Sequence, residues 1–254
     1  MRVLVCVKRV PAPGARIVLN EDRRSIDTAL LGFAVSPHEE CAVEEGVRIV
    51  EQHGGSVTVL TLGPPEAEEQ IRAAFAVGVH AGARIEAGPE DPDPVATARA
   101  IASAVQGLEG AAGPFDLILF GNESADSGGY QVGIRVAHAL GRPIVSGIKA
   151  IEIDDGAMTV QRPTPQGAEV YELPLPAAVA VREGINLPRY PTLKTRLSAK
   201  KTPIELVTTD AAEGGQRMIE LVPPPEDTSS VQILGDGPEA AAAVVDVVEQ
   251  LVSL

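Results

Sequence analysis

Four runs of β-branched and other apolar residues constrain this chain most: Val3–Val7, Val57–Leu62, Leu117–Phe120 and Ala177–Val181. They are continuous rather than alternating, and a strand reads that way when both faces of its sheet are covered. Ala- and Glu-rich stretches with helical spacing lie between them. Glu40–Glu51 brings Ala42, Val43, Val47 and Ile49–Val50 to one side, Glu66–Val77 carries Ile71, Ala74 and Phe75, and Val95–Val105 carries Ala98, Ile101 and Val105. Strand and helix in strict alternation build βαβ units and a parallel sheet. The expected fold class is α/β, with a Rossmann-like parallel sheet.

The texture changes near residue 144. Ile144–Ile153, the turn Asp154-Asp155-Gly156 and Ala157–Arg162 read as two strands and a tight connection, with Ala168–Leu173 as a further extended piece. After Pro203 the alternation stops, punctuated by Gly214-Gly215 and Pro223-Pro224-Pro225, and an amphipathic helix over Glu239–Val252 closes the chain. The expected division is an α/β domain over 1–205 and a C-terminal arm and helix over 206–254. That tail either packs on its own domain or wraps a partner, and its Pro-rich connections favour the arm.

Composition narrows the function. Lys and Arg number 21 against 35 Asp and Glu, a formal charge of −14, and nucleic-acid binding requires a basic face instead. With four Phe, three Tyr and no Trp, the core must come from Val, Ile, Leu and Ala. Cys6 and Cys41 make neither a disulfide framework nor a metal site, which points to a reducing, cytoplasmic setting. No apolar run approaches the ~18–20 residues of a membrane span, so a membrane-integral protein is not expected. The stretch Val3–Val7, followed by Lys8 and Arg9, is also too short for a secretory signal.

The most chemical stretch runs from Asp116 through the strand Leu117–Phe120 into Gly121-Asn-Glu-Ser-Ala-Asp-Ser-Gly-Gly-Tyr-Gln-Val-Gly133, and then into a helical stretch, Ile134–Leu140. A buried strand opening through a Gly-bearing loop into a helix points backbone N–H groups and the positive helix end at a crevice, where phosphate is the usual occupant. Gly128 and Gly129 suit such a loop, although Asp126 or Ser127 capping an ordinary helix would produce the same letters. The loop is neither a Walker A nor a GxGxxG fingerprint. The carboxyl ends marked by Cys6-Val7-Lys8-Arg9, by Leu62-Gly63-Pro64-Pro65 and by this loop should share one sheet edge. Ser36-Pro37-His38-Glu39-Glu40 opens a helix in the same register.

No catalytic residue and no metal set stands out. His38, His53, His80 and His138 sit singly, there is no HExxH or GxSxG, and Cys6 reads as a small apolar core residue. Any redox chemistry must therefore come from a cofactor.

In this acidic chain, Arg182 to Lys201 holds six basic residues and one acid. Leu187, Tyr190, Leu193 and Leu197 interleave with Arg189, Lys194 and Arg196, a pattern suited to docking on another protein rather than to a solvated loop.

Three blocks carry a family resemblance: Val5-Cys-Val-Lys-Arg-Val-Pro11, Ser36-Pro-His-Glu-Glu-Cys-Ala-Val-Glu-Glu-Gly-Val-Arg48, and Asn186-Leu-Pro-Arg-Tyr-Pro-Thr-Leu193 with Ala199-Lys-Lys-Thr-Pro203. In this order they resemble the β subunits of electron transfer flavoproteins. The resemblance implies an adenine nucleotide alpha hydrolase-like domain and a heterodimer with an α subunit that holds most of the redox FAD. It implies an electron carrier rather than an enzyme, moving electrons from flavin dehydrogenases, such as the acyl-CoA dehydrogenases of fatty acid oxidation, to a quinone oxidoreductase or another acceptor. It also implies a buried AMP in this subunit.

Carried over by position, the nucleotide site is Cys6, Ser36, Leu62 and the loop Glu123, Ser124, Ala125, Asp126, Ser127, Gly128, Gly129, Tyr130, Gln131, Val132 and Gly133. Leu193 matches the anchor of the family's partner-recognition loop, here 184–203, with Arg189, Tyr190, Lys194 and Arg196 around it. Three departures stand out. Val132 replaces a Thr that would hydrogen-bond phosphate, Ser36 replaces an Asn, and His38 replaces an aromatic near the redox flavin. Gln131-Val132-Gly133 also resembles members that hold a second FAD in place of AMP and bifurcate electrons, with NADH as reductant. A nucleotide-sensing domain of the universal-stress type is the remaining alternative, although its Gly-x-x-Gly loop is missing after Phe120.

Overall fold

The computed structural model describes residues 1–87, 91–154, 156–209, 214–224 and 233–252, so Asp155 of the expected turn and Pro225 lie outside the described residues. The elements in chain order are β1 (Arg2–Val7), β2 (Val10–Pro11), β3 (Phe33–Ala34), α1 (Pro37–His53), β4 (Ser56–Gly63), α2 (Glu68–Ala76), β5 (Ala81–Glu86), α3 (Pro94–Ala112), β6 (Leu117–Gly121) and α4 (Val132–Ala139). They continue with β7 (Ile144–Ile148), β8 (Ala150–Asp154), β9 (Ala157–Thr164), β10 (Gly167–Pro174), β11 (Ala177–Val181), α5 (Leu193–Ala199), β12 (Glu205–Val207) and α6 (Ala241–Val252).

The central sheet has strand order β12-β5-β4-β1-β6-β11-β7, and all its pairings are parallel. Alternate residues of its apolar strands feed two cores. Val3, Val5, Val57, Val59, Leu117, Leu119 and Val179 pack with α1 and α2 residues such as Val47 and Ile71. Leu4, Cys6, Leu60, Ile118, Phe120 and Ala180 pack with Ile101, Val105 and Val136 of α3 and α4. The continuous apolar runs are thus explained by helices on both faces, as expected for α/β.

The chain winds outward from β1 through β4 to β5, then returns to place β6 on the other side of β1. The crevice at the carboxyl ends of β1 and β6 is therefore a topological switch point, where ligands bind in open α/β sheets.

Around residue 144 the sequence reading needs correction. The run Ile144–Ile153 is two strands: β7 lies parallel to β11 in the central sheet, and β8 joins β9 and β10 in a separate antiparallel sheet. Lys149 separates the two strands, and just before it Gly147, with a φ of +76°, makes a bulge in β7 where the register shifts opposite Ala180 and Val181. Strand β5 escapes a hydrophobicity reading because its Ala81-Gly-Ala-Arg-Ile-Glu86 is small and polar. Gly82 is tight against Ile71 and Phe75, and the guanidinium of the buried Arg84 donates to the Gly63 carbonyl at 3.1 Å.

The chain divides into two compact units, Met1–Ile219 and Glu220–Leu254. The second contains α6, where Val244, Val245, Val248 and Leu251 are exposed. No described helix is long and apolar enough to cross a membrane.

Candidate functional site

The crevice is built by three elements. β1 delivers Cys6 and then Lys8, α1 starts at its N-cap Ser36, and β6 opens after Gly121 into the loop that reaches α4. Ser36 is 1 % exposed, and its hydroxyl donates to the Glu123 carbonyl at 3.4 Å. The Lys8 ammonium lies 2.6 Å from an Asp126 oxygen and 3.0 Å from one of Asp91. Burial opposes ionisation of Asp126, but attraction and hydrogen bonding from Lys8 prevail and hold its carboxyl below the usual range.

The loop is also tied to itself. Asp126 accepts from the Ser127 N–H at 2.7 Å, the Ser124 and Ser127 hydroxyls are 3.0 Å apart, and the Gly128 N–H donates to the Ser124 carbonyl at 3.0 Å. Gly128 takes a φ of +59°, whereas Gly129 stays out of the left-handed region. Gly133 lets α4 come close to β6, since a Cβ there would be 3.0 Å from the Phe120 ring.

His38 joins a second set of contacts. Its Nδ1 accepts the Glu183 N–H at 2.7 Å, so Nε2 carries the proton that is shared with Glu123 at 3.2 Å. The neighbouring Glu123 carboxylate pushes the phenol pKa of Tyr130 up. The start of α1, the end of β11 and the loop after β6 are thereby connected.

The sequence-derived site residues fall as follows. Cys6, Ser36 and the loop Glu123–Gly133 surround the crevice of β1, α1 and β6. Leu62 lies one strand over, at the end of β4, half-buried against the α3 side of the core. Gln131 turns its side-chain oxygen to Arg135 at 2.7 Å, and Val132 packs partly against the same core. Burial pushes the Cys6 thiol pKa well up, and nearby Glu39 adds to it, as suits an apolar core residue.

Glu39 was not singled out from sequence. It is 6 % exposed, and its carboxyl accepts the Lys8 N–H at 3.1 Å and the Ser36 N–H at 3.4 Å. The available signal was the Ser36-x-x-Glu39 spacing of a capping box. The pairing of Lys8 with Asp91 and Asp126 had no local signal, since Lys8 stands more than 80 residues before either.

An anionic nucleotide fits this edge. The first-turn N–H groups of Gly133 and Ile134 have no acceptor among the described residues, which leaves them for a phosphate. Lys8 is already balanced by two acids, so the backbone rather than a free cation would bear the phosphate. Among the described residues no group of three His, Cys, Asp or Glu is placed to hold a metal ion.

The segment 184–203 is part loop and part helix. Thr192 caps α5 by accepting the Thr195 N–H at 3.2 Å, and Arg72 donates to the carbonyls of Ala199, Lys200 and Thr202 at the helix's far end. Tyr190 and Leu193 are 91 % and 75 % exposed. Arg189, expected beside them as a docking cation, instead turns its guanidinium onto α1, 2.9 Å from Glu44 and 2.7 Å from Glu51. Asn186 adds a hydrogen bond to the Cys41 carbonyl at 2.9 Å.

The model of the electron transfer flavoprotein domain matches residues 26–212. A protein named electron transfer flavoprotein subunit beta from Syntrophomonas wolfei is 34% identical over 243 residues, covering 95% of this chain and 93% of its own length. Proteins of the same name from Bacillus subtilis and Homo sapiens are 31% and 30% identical, covering 96% and 100% of this chain and 96% of each relative.

Proposed function

This chain belongs to the electron transfer flavoprotein family as a β subunit, and on that premise we propose that it pairs with an α subunit and holds AMP in the crevice between β1, α1 and β6. The redox FAD, held mainly by α, supplies the electron chemistry when bound, and this chain's residues bind, position and dock. The complex carries electrons from flavin dehydrogenases to a quinone oxidoreductase or another acceptor.

The observation that carries the nucleotide assignment is the junction at the switch point. There the loop Glu123–Gly133 is fixed to β1 through Lys8 and to α1 through Ser36, and it ends at free N–H groups of α4. Such a preformed, N–H-lined edge suits a resident nucleotide. The family match over most of the chain removes the universal-stress alternative.

A second FAD in place of AMP is the competing occupant. One residue favours it: Val132 offers no hydroxyl to a terminal phosphate, at the end where a diphosphate would continue. Heat release of the nucleotide from the purified heterodimer, followed by chromatography, separates the two. AMP supports a one-flavin carrier. Two FAD per heterodimer supports a bifurcating protein, and no nucleotide beyond the redox FAD overturns the site.

A further inference from the structure

We propose that Glu39 is the positioning residue of the nucleotide crevice, its one buried carboxyl setting the geometry of both walls at once. The inference rests on the nucleotide reading above and adds a residue to it. One carboxylate oxygen accepts the Lys8 N–H at 3.1 Å and the other accepts the Ser36 N–H at 3.4 Å. Each of those residues then reaches the loop by its own side chain: Lys8 to Asp126 at 2.6 Å, Ser36 to the Glu123 carbonyl at 3.4 Å. The stem of Glu39 lies against the last residue of β6, where a Cβ on Gly121 would come within 2.5 Å of its Cγ. Glu39 therefore touches all three elements that form the crevice.

A plain capping role does not require this arrangement. Asp93 caps α3 by accepting the Ala96 N–H at 2.8 Å, and its other oxygen accepts the Gly215 N–H at 2.6 Å, without being buried among the strand ends. Glu39 is buried, and its ionisation is tied to the crevice. Burial raises its pKa to about 8, against the hydrogen bonds from Lys8 and Ser36 and the attraction of the Lys8 ammonium. The groups that face it are Lys8 and the Cys6 thiol from β1 and Ser36 at the helix start; Gly121 from β6 brings no charge. Ionisation of Glu39 adds a negative charge to the crevice read above as a nucleotide site, so affinity for the anionic nucleotide should fall as pH rises from 7 to 9, above the second phosphate ionisation near ~6.

The test uses the full chain purified with its α subunit, as wild type, E39Q and the capping control D93A. Gln keeps one acceptor oxygen but sets an amide N–H against the second donor, so one of the two hydrogen bonds is lost. E39Q is expected to exchange the amides of residues 123–131 about tenfold faster, to bind AMP about tenfold more weakly, and to lose the fall in affinity between pH 7 and 9. D93A should leave all three readouts at the wild-type level. Loop exchange and an AMP pH profile in E39Q that match wild type would overturn the proposal. If AMP binds neither wild type nor variant, the nucleotide reading fails by itself, and the exchange rates alone then decide whether Glu39 positions the loop.

Discussion

Lys8 and Asp126 meet at 2.6 Å across 118 residues of sequence, joining the end of the first strand to the loop that follows the strand beside it. The pair is partly exposed, so solvent screening limits its contribution to about 1 kcal/mol. Its larger effect is on the loop. D126N should lower the denaturation midpoint slightly while it accelerates amide exchange over 123–131, and K8M should do the same. The Asp126 pKa is lowered, so the pair's contribution is present above the ordinary value of 3.8 and lost as pH falls through the lowered one. An acid denaturation curve identical in D126N and wild type would refute the link.

Glu39 predicts the opposite pH dependence. Its pKa is raised from 4.5 to about 8, so the native state binds more protons than the unfolded chain between those values. Stability from this group is complete below 4.5 and is lost as pH rises toward 8. The melting temperature of wild type should therefore decline from pH 5 to pH 8, and E39Q, which cannot ionise, should show a flatter profile. Parallel profiles for the two proteins would contradict a raised value.

Arg189 holds the segment 184–203 to α1. Glu44 is 3 % exposed, and Arg189 and Arg48 both bond it, at 2.9 Å and 2.7 Å. Burial works against a charged Glu44, yet hydrogen bonds from Arg189 and Arg48 hold its pKa below the ordinary carboxylate range. Replacing Arg189 by Ala should cost about 1–3 kcal/mol in urea denaturation. Lys should restore little of it, because a single ammonium cannot fork to both Glu44 and Glu51. The loss should shrink as pH falls through the lowered Glu44 value, since the protonated acid no longer needs the partner.

How much of this was legible in sequence depends on where each residue finds its partners. The strands of β1, β4, β6 and β11 announced themselves because burial on both faces leaves a local apolar signature. β5 did not, since its place is secured by the smallness of Gly82 against Phe75 and by a buried Arg84, neither of which raises local hydrophobicity. The site loop was visible as strand, glycines and helix. Its fastening was not, because Lys8–Asp126 and His38–Glu123 pair residues far apart in the chain. Arg189 shows the same limit: a cation in a basic segment reads as a docking residue until its acids are found one helix away.

Leu193 tests the docking surface separately from the crevice. It begins α5 at 75 % exposure, with Tyr190 and Leu197 also exposed beside it, so its side chain adds little to the fold. Truncation to Ala should leave the melting temperature and FAD content of the heterodimer unchanged. If Leu193 fills a pocket on the dehydrogenase, the lost burial is about 1–3 kcal/mol, and the apparent affinity for that partner should drop about tenfold or more. Lys194 and Arg196 should act differently, as charges whose replacement slows association and reduces its sensitivity to salt. Stopped-flow reduction by the dehydrogenase over a range of ionic strengths separates the two effects. An unaltered rate in L193A at every salt concentration would remove Leu193 from the interface.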